Sequence, residues 1–133
     1  MYTVSAEADK KVQADLDRIV DKIRQRIDPV SIILFGGFGK GEGSFDLRDG
    51  DVRPLNDYDL YVITRTKKSD RFIEEVAAEC ARAIGRGGEE FCEQPAERYD
   101  ADRFFHVDLR QIVYADLRKL KPVSYTHLRA HET

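Results

Sequence analysis

Positions 30–44 of the chain read VSIILFGGFGKGEGS, and after a polar interval positions 56–60 read NDYDL. The first stretch joins an apolar run of strand length to a glycine-rich turn, which predicts a buried strand followed by a tight turn and a short helix. The second stretch opens another apolar run and places two aspartates on alternate positions of a predicted strand. The prediction of the fold depends on these two stretches.

The glycine-rich turn is suited to holding an anion. Five of the eight residues at 36–43 are glycine, more than a tight turn needs. Glycine lets backbone amides approach an anion closely, and the start of a helix adds a positive dipole. Two standard phosphate motifs do not fit. The P-loop requires a lysine where Glu42 follows Gly41, and the dinucleotide fingerprint requires a glycine at that same position.

The aspartates of the second stretch are candidate metal ligands. On a strand, Asp57 and Asp59 point to one face, about 6.6 Å apart along the backbone, while Tyr58 and Leu60 point to the other. That spacing lets two carboxylates bracket two divalent ions roughly 3.5–4 Å apart, as in two-metal phosphoryl transfer. Hard oxygen ligands suit Mg²⁺ or Mn²⁺. The alternative is a solvated acidic strand face, because a short Asp-x-Asp pattern also occurs by chance.

A third carboxylate lies on a later predicted strand, over residues 104–114. Asp108 alternates there with Val107 and Leu109, so it projects away from the buried side if those two residues belong to the core. In that position it would complete one metal site and help to activate an attacking hydroxyl.

The rest of the chain alternates helices and strands. Apolar residues recur at helical spacing over 6–27, with Ser5 as the predicted N-cap, and again over the stretch that follows Ser69. Residues 45–55 are polar and contain a glycine and a proline, which predicts a loop. The fold class is therefore α/β (α+β), with a small mixed sheet flanked by helices in the order α-β-α-β-α-β, over one domain at residues 1–121.

Composition restricts the classes of function. The chain has 22 Lys and Arg against 25 Asp and Glu, a net charge of −3, so no strong basic field attracts nucleic acid. No apolar run reaches the roughly 20 residues that span a bilayer, and the N-terminus lacks an apolar signal core. Cys80 and Cys92 lack metal-site spacing, and we expect reduced thiols in a cytoplasmic protein.

Residues 122–133 do not share the periodicity of the preceding sequence. We expect them to be a translated adapter or read-through tail, outside the catalytic domain, in which case the natural protein continues past about residue 121. His127 and His131 have the spacing of a metal-binding pair on a helix, but no general-base glutamate lies between them.

Together, Phe35-Gly36-Gly37, the glycines that follow and Asp57-Tyr58-Asp59-Leu60 resemble the signature of the DNA polymerase β-type nucleotidyltransferase superfamily. That signature is a hydrophobic residue, Gly, then Gly or Ser, followed by two acids around a hydrophobic residue, with a third acid on a later strand. The resemblance covers roughly residues 6–120. It implies a small mixed sheet flanked by helices, with helices and strands alternating along the chain. The residues themselves predict the same order of elements.

The resemblance implies a role for each matching residue. Gly36 and Gly37 match the turn that holds the nucleoside triphosphate. Asp57 and Asp59 match the acids that bind both metal ions, Mg²⁺ or Mn²⁺. Asp108 matches the third acid, which contacts one ion and favours deprotonation of the acceptor hydroxyl.

Lys40 and Ser44 are further candidates for binding the nucleotide. Lys40 falls where family members often have arginine and would steady phosphate charge, and a solvated lysine is the alternative. Ser44 would touch phosphate or would cap a turn. Nineteen residues separate Gly37 from Asp57, more than the family's usual gap, and the excess over 45–55 indicates a loop insertion near the active site.

These features predict an enzyme that transfers a nucleoside monophosphate from an NTP to an acceptor hydroxyl and releases pyrophosphate. The alternative is a non-catalytic nucleotidyltransferase-like binding module, or the antitoxin of a toxin–antitoxin pair. The superfamily uses aminoglycosides, sugars, nucleic-acid ends and protein side chains as acceptors. The region after the third acid that usually recognises the acceptor is mostly missing, so we expect a C-terminal acceptor-binding region or a partner protein outside this chain.

Overall fold

A computed structural model describes residues 2–43, 45–48, 51–54, 57–85, 107–119 and 126–128, the strands 45–48, 51–54 and 126–128 by their backbone. These residues form a small α/β domain with alternating helices and strands. Its elements are α1 (Ala6–Arg26), β1 (Ser31–Phe35), α2 (Gly36–Gly39), β2 (Phe45–Arg48), β3 (Asp51–Pro54), β4 (Tyr58–Thr64), α3 (Asp70–Ala83), β5 (Val107–Val113), a 3₁₀ helix (Tyr114–Lys119) and β6 (Thr126–Leu128). None of the helices in these ranges has the length and apolar character to cross a bilayer.

The central sheet is mixed. Strand β4 lies between β1, to which it is antiparallel, and β5, to which it is parallel. Parallel neighbours need a long crossover, and α3 lies within the connection from β4 to β5. Strand β6 comes from the predicted tail and pairs antiparallel with Ile32–Leu34 of β1, so the sheet order is β5-β4-β1-β6.

One face of the sheet, here the helix face, packs against α1 and α3. Alternate strand residues point to it and are almost fully buried. They are Ile32, Leu34, Tyr58, Leu60, Val62, Val107 and Leu109, and they pack in one cluster with Val12, Leu16, Ile19, Ile23, Ile73, Val76 and Cys80 of the helices. Burying one large apolar side chain contributes about 1.5–3 kcal/mol, so this cluster supplies most of the hydrophobic stabilisation.

The opposite face, here the acid face, has different chemistry. The residues that alternate with the helix-face set point to it. Two of them, Ile33 and Ile63, are buried at 8% and 1% exposure, and five others, at the end next to the glycine-rich turn, are half-buried or exposed. These five are Phe35 of β1, Asp59 and Tyr61 of β4, and Asp108 and Arg110 of β5. The predicted alternation of Asp59 and Asp108 with buried neighbours is confirmed.

The two helix starts predicted from the sequence agree with the structure, but the predicted loop over residues 45–55 does not. Ser5 accepts a hydrogen bond from the amide of Ala8 at 3.3 Å, and Ser69 accepts one from Phe72 at 3.1 Å, so both predicted caps are confirmed. The loop predicted over 45–55 is wrong, because β2 and β3 pair there as an antiparallel hairpin.

The hairpin adds two strands to the predicted order of elements. Leu47 pairs with Val52 in its ladder, and Phe45 pairs with Pro54. Apolar residues therefore alternate with charged ones on short strands, a period-two pattern that the polar composition of this stretch concealed. The order becomes α-β-α-β-β-β-α-β, followed by the 3₁₀ helix and β6.

Asp9 fastens the segment that precedes α1. Its Oδ1 accepts hydrogen bonds from the Tyr2 amide at 3.0 Å, the Thr3 amide at 2.7 Å and the Thr3 hydroxyl at 2.9 Å. The carbonyl of Tyr2 accepts in turn from the amide of Gly43 at 2.9 Å. The segment before α1 is thereby joined to the end of the glycine-rich turn.

The pKa of Asp9 is lowered from 3.8 to about 2. A hydrogen bond from the chain's terminal amino group is the largest cause, burial opposes it, and the bonds from Thr3 and Tyr2 add to it. Because the pKa is lower in the folded state, the ionised carboxylate stabilises the fold above the unfolded pKa. That stabilisation is lost as pH falls through the folded pKa.

We therefore predict that Asp9→Asn lowers the melting temperature at pH 7, and that its deficit relative to wild type shrinks between about pH 4 and pH 2. The measurement is thermal unfolding followed by circular dichroism across this pH range. Asp21→Asn, at an exposed position of the same helix, is the control and shows no comparable deficit. A deficit for Asp9→Asn that stays constant down to pH 2 contradicts the prediction.

Candidate active site

Strand register sets two of the three predicted acids side by side. Asp59 of β4 pairs with Asp108 of the parallel strand β5, and Phe35 of β1 pairs with Asp59 from the other side. Paired residues project to the same face, and neighbouring strands lie about 4.8 Å apart. The carboxylates of Asp59 and Asp108 therefore start from adjacent positions on the acid face.

Asp57 is placed differently from the other two acids. It is half-buried and precedes β4 by one residue, so the pleat of the strand does not set the direction of its side chain. Within the described ranges, no three His, Cys, Asp or Glu side chains are grouped so that they could hold a metal ion. The structure thus brings Asp59 and Asp108 to neighbouring positions without gathering all three predicted acids into one ligand group.

Gly36 lies directly against Asp59. It follows the last residue of β1 with φ of 72°, in the left-handed region that favours glycine. A Cβ atom added at Gly36 would overlap Oδ2 of Asp59. The positive φ favours glycine here, and a larger residue would in addition displace the end of the Asp59 side chain. The predicted phosphate-binding turn therefore contacts a predicted metal ligand.

The remaining predicted nucleotide-binding residues come after Gly36 in the chain. Gly37 is the second residue of α2, and Lys40 is exposed directly after its last residue. The single turn is closed by hydrogen bonds from the Lys40 amide to the Gly36 carbonyl at 3.0 Å and from the Glu42 amide to the Gly37 carbonyl at 2.8 Å. Ser44 lies outside the described residues. Gly36, Gly37 and Lys40 thus share one turn at the end of β1.

Tyr58, between the two aspartates, anchors this part of β4 in the core. Its side chain is completely buried, and its hydroxyl donates to Oδ2 of Asp15 on α1 at 2.8 Å. Its ring stacks on Phe38 of α2, with centroids 4.9 Å apart. One side chain therefore joins the acid-bearing strand to α1 and to the glycine-rich turn.

Asp15 is a further residue of this region, and its position along α1 is the signal that identifies it. Asp15 is a carboxylate on the apolar stripe of α1, three residues after Val12 and four before Ile19. It is 1% exposed, and its Oδ1 accepts from Lys11 Nζ at 2.9 Å. A charged residue on a buried stripe needs such partners, because an unpaired buried charge is costly.

Arg110, like Asp15, was not singled out from the sequence, although it adjoins the acids. Its Nε lies 3.4 Å from Oδ2 of Asp108, and its guanidinium carbon lies 5.4 Å from the ring centroid of Phe35. The Phe35 ring stacks on Tyr61, with centroids 4.2 Å apart and an interplanar angle of 22°. We refer to Phe35, Tyr61 and Arg110 as the aromatic–arginine cluster. It lies on the acid face beside Asp59 and Asp108.

The carboxylates have the chemistry that a divalent cation requires, but the described residues do not group three of them into one binding site. Asp59 and Asp108 supply hard oxygen donors from adjacent strands, which is what Mg²⁺ or Mn²⁺ requires. The Asp108 side chain is 38% exposed and that of Arg110 is 59% exposed. An ion pair at this exposure contributes at most about 1 kcal/mol, so it does not prevent Asp108 from binding a cation.

Two other predicted features do not form sites in the described residues. Cys80 is a free buried thiol whose pKa is raised to about 12, mainly by burial and also by Glu79, against the effect of Lys22, so it is not a nucleophile at neutral pH. Cys92 lies outside the described residues. His127 lies in strand β6 opposite Ile33, so the helical spacing considered for His127 and His131 does not apply.

Comparison of the chain with protein-family models, with curated proteins and with solved structures gives no match. The function of the protein is therefore inferred from its own residues and from the resemblance of its short motifs.

We predict that Gly36→Ala destabilises the protein more than Gly85→Ala. Both glycines have positive φ, 72° and 81°, so each alanine costs about 1–2 kcal/mol of backbone strain. Nothing lies within 4 Å of a Cβ at Gly85, whereas one at Gly36 overlaps Asp59. Displacing that side chain adds about 0.5–1.5 kcal/mol. Urea unfolding measures both losses, and equal losses would show that the Gly36–Asp59 contact is absent.

A second prediction concerns the buried tyrosine. Tyr58→Phe removes a donor from the buried Asp15 carboxylate and is expected to reduce the free energy of unfolding by about 1–3 kcal/mol. Tyr114→Phe is the matched control, because Tyr114 is 57% exposed, and it should stay within about 0.5 kcal/mol of wild type. If Tyr58→Phe is as stable as the wild-type protein in the same unfolding measurement, the prediction is wrong.

Proposed function

We propose that the protein is a metal-dependent nucleotidyltransferase that transfers a nucleoside monophosphate from an NTP to an acceptor hydroxyl and releases pyrophosphate. The observation that carries this proposal is the contact of Gly36 with Asp59, with Asp108 at the next position across the sheet. It places a turn suited to phosphate against carboxylates suited to a cation, the combination that phosphoryl transfer uses. The motif resemblance supports the finer assignment to the polymerase β-type superfamily.

The glycine-rich turn is the proposed binding site for the triphosphate. The amides of Gly36 and Gly37 can approach phosphate oxygens closely because no side chains intervene. Lys40, exposed directly after α2, adds a positive charge on the same turn. Asp59 and Asp108 alone would repel the triphosphate. In the proposed enzyme Asp57, Asp59 and Asp108 would hold Mg²⁺ or Mn²⁺, and the ion would neutralise phosphate charge and lower the pKa of the attacking hydroxyl.

The reaction exchanges one phosphorus–oxygen bond for another. The acceptor oxygen bonds to the α-phosphorus while the bond from that phosphorus to the oxygen bridging the β-phosphorus breaks, and pyrophosphate leaves on the opposite side. The acceptor proton passes to a carboxylate and then to water, and Asp108 is the proposed base. Positioning and charge stabilisation, rather than covalent chemistry by the protein, supply most of the acceleration.

A specific observation favours a second candidate, a non-catalytic nucleotide- or partner-binding module such as an antitoxin. Asp108 is paired with Arg110, and the described residues contain no three-acid group. A module of this kind needs the glycine-rich turn for binding but does not need Asp57 to join the other acids. Such a protein binds NTP without transferring its nucleoside monophosphate.

We predict that Mg²⁺ with ATP raises the melting temperature of the wild-type protein, because a ligand that binds only the folded state stabilises it by about 2.7 kcal/mol at 100 times its Kd. Asp57→Asn and Asp59→Asn should each lose most of this shift, since each removes a negative cation ligand at nearly constant volume. Transfer of label from α-³²P-ATP to acceptors in a cell extract should fall to background in both variants.

Asp21→Asn, on the exposed side of α1, is the matched control for loss of one aspartate and should keep the full shift and the full transfer. Transfer at the wild-type rate by Asp59→Asn rules out the two-metal scheme. A wild-type protein that binds Mg²⁺ and ATP but transfers no label supports the module instead.

A further inference from the structure

The residues of the acid face form successive rows that lead away from the glycine-rich turn. The glycine-rich turn continues from the end of β1, and the first row of paired residues beside it is Phe35, Asp59 and Asp108. The next row, farther from the turn, contains Tyr61 and Arg110. The aromatic–arginine cluster therefore extends from the acids away from the turn.

In-line transfer fixes where the acceptor must lie relative to these parts. The attacking and leaving oxygens lie on opposite sides of the α-phosphorus. If the triphosphate lies on the glycine-rich turn, a cation held by the acids would place the α-phosphate beside them, and pyrophosphate would leave on the side of the turn. The acceptor hydroxyl then approaches from the side of the aromatic–arginine cluster.

We propose that the aromatic–arginine cluster binds the acceptor, and that the acceptor is nucleotide-like: a compound with a planar aromatic ring and an anionic group near its hydroxyl. This inference rests on the proposed function and adds the class of acceptor to it. It is carried by the position of the cluster beside Asp108 and by the chemistry of its three side chains.

The two rings provide a surface for stacking. Phe35 and Tyr61 are both half-buried, so they are held by the sheet and still present ring surface to solvent. Aromatic side chains in such positions stack with planar rings, and nucleobases are favourable partners because each has a large π face.

Arg110 provides the preference for negative charge. Its side chain is 59% exposed, and among the described residues its guanidinium makes a polar contact with Asp108 through Nε. A guanidinium has five N–H donors in a planar fork, which matches phosphate oxygens. The same positive charge disfavours a polycationic acceptor such as an aminoglycoside.

The test is isothermal titration of the protein with AMP while the donor site is saturated with Mg²⁺ and the non-transferable analogue α,β-methylene-ATP. Adenosine, ribose 5-phosphate and kanamycin are titrated in the same way, since they separate the ring, the anion and the polycation. We expect AMP to bind more tightly than each of the other three compounds.

Two variants assign the binding to the cluster. Arg110→Gln should weaken AMP binding about tenfold and leave adenosine binding unchanged, because it removes the contact with the anion. Tyr61→Leu should weaken both AMP and adenosine about tenfold, because it removes ring stacking. Arg71→Gln is the control, with a side chain that is 90% exposed on α3, and it should bind AMP as wild type does.

Arg110→Gln removes an exposed side chain, and circular dichroism with thermal unfolding establishes that this variant is folded. Arg110→Lys keeps the charge without the fork and should bind AMP with intermediate affinity. Unchanged AMP affinity in either Arg110→Gln or Tyr61→Leu overturns the proposal. Kanamycin binding as tight as AMP binding also overturns it.

The failure of this inference can be told apart from failure of the proposed function. Suppose that Mg²⁺ and ATP raise the melting temperature, that Asp59→Asn loses this shift, and that Arg110→Gln leaves AMP affinity unchanged. This result overturns the acceptor assignment alone. If AMP binds through Arg110 but Mg²⁺ and ATP give no shift in the wild-type protein, the proposed function and the acceptor role fall together.

Discussion

The two faces of β4 must meet opposite environments, and this constraint fixes the rest of the structure. Tyr58, Leu60 and Val62 are fully buried on the helix face, while Asp59 and Tyr61 lie on the acid face. A shift of one residue in register would exchange the two sets, burying a carboxylate and exposing the core. Because β4 is the central strand of β1, β4 and β5, its register also sets which residues face one another on both neighbours.

A buried polar contact reinforces this register. The hydroxyl of Tyr58 reaches a carboxylate on α1 that is itself paired with Lys11. A buried ion pair adds little net stability compared with apolar residues, but breaking it leaves a charge without a partner. The hydrogen bond to Asp15 therefore favours the observed placement of β4 against α1. The same tyrosine ring stacks on Phe38, so the position of the glycine-rich turn follows from that of β4.

Local patterns predicted those parts of the molecule that depend on local rules. The caps at Ser5 and Ser69, both long helices and the alternation around Asp59 and Asp108 follow from spacing along the chain. The hairpin and the pairing of β6 with β1 depend on partners distant in sequence, which periodicity does not specify. The contact of Arg110 with the Phe35 ring reaches across β4 and becomes visible only when the register is known.

Asp57 shows where the strand rule ends. Alternation predicted that Asp57 and Asp59 share a face, but Asp57 lies one residue before β4, where the pleat no longer imposes a direction. The two candidate functions assign different roles to Asp57. The Asp108–Arg110 ion pair separates them less, because an ion pair so exposed contributes at most about 1 kcal/mol. Carboxylate side chains exchange among staggered rotamers, so Asp57 can change direction without a change in the backbone. The proposed enzyme would use Asp57 together with Asp59 and Asp108 to hold a cation, whereas a binding module does not need Asp57 in that group.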